Sequence, residues 1–168
     1  MASDLSIRMD KAEDPARLLA DTEACLCTLL GTDAGFGLKC AQPFPAAEQQ
    51  RNLATTVYST HFPEDIVELT MLYTGPVPGY EAPEEEGWQT FITMRAALDN
   101  PLKYALAAAL AISLAQTQSD THIYDEDRRW NPQPRIAAGQ LLQSLRVREP
   151  QNSLEEALKN FLLQLKTR

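Results

Sequence analysis

The chain has 168 residues, 44% apolar and 23% charged, with a net charge of −8. That composition excludes a disordered chain and suits one domain, 1–168, whose core needs no metal or disulfide staple. The acidic balance argues against non-specific nucleic-acid binding, because phosphates are held by Lys and Arg.

Residues 4–10, "DLSIRMD", alternate apolar and polar with Leu5, Ile7 and Met9 on one side, the pattern of a half-buried strand. A helix is predicted over 14–30: Asp14 can cap it, Pro15 suits its first position and Gly31 can stop it. Its apolar face carries Leu18, Leu19, Thr22, Leu26, Leu29 and Leu30. "GFGLKCAQPFP" reads as a short strand ending at its prolines. Residues 46–60 are divided, helical in composition at first and β-branched later. "DIVELTMLYTG" (65–75) and "WQTFITMRAAL" (88–98) read as strands. They flank the Pro/Gly loop 76–87, which suggests a long hairpin.

A helix over 100–117 is the plainest element, with Asn100 as cap, Pro101 in the first turn and alanine throughout. Leu102, Leu106, Leu110 and Leu114 form a stripe widened by Tyr104, Ala108 and Ile112. No charge occurs from Tyr104 to Gln116, so this helix is expected in the core. "THIYDEDRRW" then reads as a strand running out to a turn at Asn131-Pro132. Helices over 135–145 and 153–166 close the chain, the last opened by the capping box Ser153-Leu154-Glu155-Glu156. The predicted class is α+β, a mostly antiparallel sheet of about four to five strands packed by helices.

The N-terminus has no apolar secretory core, and the uncharged run Tyr104–Gln116 is too short to span a bilayer. Cys25, Cys27 and Cys40 are an odd set with no zinc spacing. They read as small buried hydrophobes in a reducing, cytoplasmic setting. No membrane insertion, metal or cofactor is expected.

No recognisable catalytic or phosphate-binding motif is present, and Gly35-Phe36-Gly37 is too short for a phosphate loop. "HIYDEDRRWN" (122–131) is the densest cluster of functional groups. On a strand, His122, Tyr124 and Glu126 share one face, and Ile123, Asp125 and Asp127 the other. Asp125 and Asp127 could chelate a hard cation, but the further ligands of a calcium loop are missing. As an acid/base pair they sit beside Arg128 and Arg129, which favour ionised carboxylates over a proton donor. Two readings remain: a strand end with a solvated charged run, or a recognition patch of Asp125, Glu126, Asp127 and Trp130.

Charge distribution bears on the same question. Residues 1–60 carry eight acids and five bases, 61–99 eight acids and Arg95, and 100–168 seven acids and nine bases. The middle stretch is therefore at −7 and the last part at +2. Glu81, Glu84, Glu85 and Glu86, with Tyr80 and Trp88 as flanking aromatic anchors, are either a solvated loop or a contact for a cationic protein partner.

The stretch "YALAAALAISLAQTQSDTHIYDEDRRW", together with size and acidity, resembles immunity proteins of bacterial polymorphic toxin systems. The resemblance covers roughly residues 100–131. It implies a non-catalytic, cytoplasmic protein that binds and neutralises one cognate toxin, and it implies no catalytic residue. The alternatives are a secretion-system chaperone or adaptor for an effector, and a small enzyme without recognisable motifs.

Overall fold

The computed structural model describes residues 2–9, 13–41, 54–62, 68–74, 90–97, 100–125 and 127–167. Seven strands are β1 (Ala2–Met9), β2 (Leu38–Cys40), β3 (Ala54–Ser59), β4 (Glu68–Thr74), β5 (Thr90–Ala97), β6 (His122–Tyr124) and β7 (Arg135–Ala137). Four helices are α1 (Pro15–Leu30), α2 (Pro101–Thr117), α3 (Ala138–Leu145) and α4 (Leu154–Lys166). The strands form one sheet in the order β2-β3-β4-β5-β1-β6-β7, and every pairing is antiparallel. The α+β class follows directly. The sheet is wider than four to five strands because three-residue strands, β2 and β7, form its edges.

The alternation read in residues 4–10 holds: Leu5, Ile7 and Met9 are buried, and β1 runs between β5 and β6. The expected hairpin forms as the antiparallel pair β4–β5, with Met71 opposite Met94 and Thr74 opposite Phe91. Of the divided segment 46–60, the β-branched end is strand β3; residues 42–53 and the loop 75–89 lie outside the described residues.

Helix α2 occupies the centre. Every residue from Ala105 to Ala115 is buried. One side of it meets β1, β4, β5 and β6, and it also touches α1, α3 and α4. Asn100 Oδ1 accepts from Leu102 N at 2.9 Å and Lys103 N at 3.4 Å, which satisfies the first amides. Alanine suits such a helix: it has high helical propensity and a short side chain that lets neighbours approach closely.

Helix α1 has the expected ends. Asp14 accepts from Ala16 N at 3.3 Å, and Gly31 closes the helix at φ 63°. Gly31 also permits a close approach, since a Cβ there would lie 2.9 Å from the Glu149 carbonyl oxygen. The segment between α3 and α4 is tied to this end of α1, Val147 N donating to Leu29 O and Gln151 N to Gly31 O, both at 2.9 Å. In α4 the Ser153 hydroxyl accepts from Glu156 N at 3.2 Å.

Two boundaries differ from expectation. The helix predicted over 135–145 begins at Ala138, because Arg135–Ala137 pairs with β6, Ile136 opposite Ile123. Sheet pairing there outweighs helical propensity, and no side chain caps α3. The strand predicted to run through residue 130 stops at Tyr124. The three cysteines are half-buried, not fully enclosed. Burial pushes the Cys25 thiol up to about 12, with a hydrogen bond to Ser113 acting the other way.

The central position of α2 sets a test. Leu106→Asp or Leu110→Asp places a carboxylate where neither leucine has meaningful exposure. Each loss of stability should exceed about 4 kcal/mol, a large part of a domain's net stability, so both variants should be unfolded by circular dichroism at room temperature.

Candidate functional site

Beyond β6 the chain does not continue as a strand; its described residues up to Asn131 fold around one carboxylate. Asp125 has no exposed surface. Its Oδ2 accepts from Trp130 N at 2.7 Å and from Asn131 N at 3.1 Å. Its own amide donates to Pro134 O at 2.8 Å, and its carbonyl accepts from Arg128 N at 3.1 Å. Arg128 turns the chain at φ 53°, in the left-handed region. Trp130 is 1% exposed, and its ring lies 5.1 Å from that of Tyr104 at 55°. The loop is thus pinned to the first turns of α2.

This corrects the recognition-patch reading at Asp125 and Trp130. Asp125 and Trp130 face inward, the first because backbone amides need its oxygen, the second because it packs on α2. Asp127 is exposed and does not share a strand face with Asp125. Glu126, Tyr80, Glu81, Glu84, Glu85, Glu86 and Trp88 lie outside the described residues. Among the described residues, no group of three His, Cys, Asp or Glu side chains is placed to hold a metal ion. No helix among them is long and apolar enough to cross a membrane. The glycine pair near α1 serves the fold: Glu23 Oε1 accepts from Phe36 N at 2.6 Å and from Gly37 N at 2.9 Å.

A second cluster lies on the opposite side of the sheet from α2, where alternation along β1 and β6 turns Ile7 and Ile123 inward and their neighbours outward. The residues are Asp120, His122 and Tyr124, spaced by two. Asp120 Oδ1 accepts from His122 N at 3.1 Å and is 2.9 Å from His122 Nδ1. Its Oδ2 accepts from the Tyr124 hydroxyl at 2.6 Å. Burial acts to raise the Asp120 pKa, but the hydrogen bonds from Tyr124 and His122 outweigh it and hold the carboxyl below its usual range. The same bond, followed by burial, raises the Tyr124 phenol. These groups line a cleft of about 520 Å³ with Arg8, Ser119, Thr121 and Arg135.

Sequence reasoning placed His122 and Tyr124 on one face but missed Asp120. The signal was present as an Asp-x-His-x-Tyr alternation, obscured because Asp120 precedes the strand and reaches its partners through a turn.

No protein-family model, curated protein or solved structure matches the chain.

Two measurements check this geometry. Asp125→Ala leaves buried amides without their acceptor and should cost on the order of 1–3 kcal/mol by urea denaturation, whereas Asp127→Ala should leave the midpoint unchanged. Asp120 should give a pH-dependent contribution. Its folded-state pKa lies below the ordinary 3.8, so its stabilisation is complete above that value and is lost as pH falls through the lowered one. The stability difference between wild type and Asp120→Asn should therefore be largest near neutrality and shrink in acid.

Proposed function

We propose that the protein acts by binding a cationic protein partner, and that this partner is the toxin domain implied by its resemblance to bacterial immunity proteins. The observation that carries the reading is the charge distribution: residues 61–99 hold eight carboxylates against Arg95, which is itself engaged by Asp4 at 2.8 Å. β4 and β5, the described strands on either side of residues 75–89 in the sequence, are paired neighbours near the middle of the sheet. Charges of one sign gathered in one stretch of chain act chiefly on encounter, raising the association rate for an oppositely charged surface. Tyr80 and Trp88, beside the glutamates in sequence, are the aromatic anchors assigned to that contact.

The test uses the toxin or effector domain encoded beside this gene. Coexpression should relieve the growth arrest that the domain causes alone. In stopped-flow association at two ionic strengths, the quadruple variant E81Q/E84Q/E85Q/E86Q should bind more slowly and with a flatter salt dependence than wild type, at unchanged melting temperature. Equal rates and equal salt slopes would remove the glutamates from the interface, and binding without protection would favour a chaperone role.

A further inference from the structure

The cleft beside β6 has features that the binding reading above does not use. Arg8 on β1 and Arg135 on β7 are both exposed and line it from two sides of β6. The antiparallel register sets Ser6, Tyr124 and Arg135 in one cross-strand row, and Arg8 and His122 are one step further along their strands. Among the described residues, neither guanidinium is in an ion pair. The carboxylate that lines the same cleft, Asp120, already accepts from the Tyr124 hydroxyl and the His122 amide and faces His122 Nδ1. Arg135 reaches the Tyr124 hydroxyl instead.

The arrangement has a charge consequence. Two guanidiniums against one carboxylate leave the cleft locally positive in a chain of net charge −8. The oxygens of Asp120 are occupied by donors, so the carboxylate orients the ring and the phenol and does not neutralise an arginine. Each guanidinium keeps a planar fork of N–H donors, the geometry that takes two oxygens of a carboxylate or phosphate at once. With Nδ1–H donated to Asp120, His122 has Nε2 left for a ligand, and that nitrogen donates to an oxyanion oxygen only in the imidazolium form, with both ring nitrogens protonated. The volume, about 520 Å³, is that of a small-molecule site.

We propose that this cleft binds the oxyanion group of a small ligand, a phosphate or a carboxylate, gripped by Arg8 and Arg135 with the Nε2–H of the His122 imidazolium as a third donor. Asp120 and Tyr124 are positioning residues that fix the imidazole. The site is independent of the acidic segment, so success or failure of the toxin-binding reading leaves it standing.

The full chain is titrated with inorganic phosphate and, separately, with succinate, each against sodium chloride at matched ionic strength. Two signals are followed, melting temperature and the His122 ring resonances by NMR. One of the two anions should raise the melting temperature and shift the His122 resonances saturably, while chloride does neither; which anion does so identifies the source of the oxyanion. Arg8→Gln and Arg135→Gln should each weaken that anion by roughly tenfold or more, the loss expected for a charge-assisted contact. Lys159→Gln, an exposed cation on α4 away from the cleft, should bind as wild type. The proposal is overturned if neither anion shifts His122 beyond the chloride control. It is equally overturned if folded R8Q/R135Q binds as tightly as wild type. The wild-type NMR titration decides the matter by itself should either arginine variant fail to fold.

Discussion

The enclosure of α2 is the constraint on which the remaining architecture depends. A helix buried from Ala105 through Ala115 needs apolar or small neighbours around its whole circumference. The sheet supplies one side through Leu5, Ile7, Ile92, Met94 and Ile123, and α1, α3 and α4 supply the others. The apolar faces of those three helices therefore have a common target. Their connections follow from it: the segment after α3 must return across the end of α1 before α4 can dock, and its amides bond to Leu29 and Gly31 on the way.

The same helix explains how the charged stretch after β6 is organised. Trp130 is fixed on Tyr104 of α2, and a loop that delivers a large side chain inward must bring buried amides with it. Asp125 answers that need by accepting from two of them. Neighbouring carboxylates thus have unlike duties: Asp125 organises backbone on the inner side, and Asp120 organises a histidine and a tyrosine on the outer side. The division comes from strand alternation together with the turns at each end of a three-residue strand.

Much of this was legible in the amino-acid sequence, for local reasons. Asp14, Pro15, Gly31 and Asn100 are residues whose conformational preferences act within a turn of where they sit, so helix ends were readable. The uncharged run of α2 declared its burial, and alternation in β1 declared its inner face. What escaped depends on partners distant in the chain. Arg135–Ala137 looks helical until β6 is beside it, and Asp125 looks solvated until the Trp130 amide is seen to need it. The candidate site was half readable: His122 and Tyr124 share a face by spacing, but their meeting with Arg8 requires β1 and β6 to be neighbours, a pairing between residues more than a hundred positions apart.

The three-residue strands at the two borders of the described sheet have a consequence for how the molecule behaves in a crowded solution. A sheet border is a row of unpaired amides and carbonyls, and a long flat one is a template onto which another chain can add. Here β2 and β7 each offer a row three residues long, and β7 passes directly into α3. The two longest strands, β1 and β5, are paired with each other along their length, and β1 is paired with β6 at Ser6 and Ile7. Among the described residues, each of the border strands β2 and β7 thus offers another chain a template only three residues long.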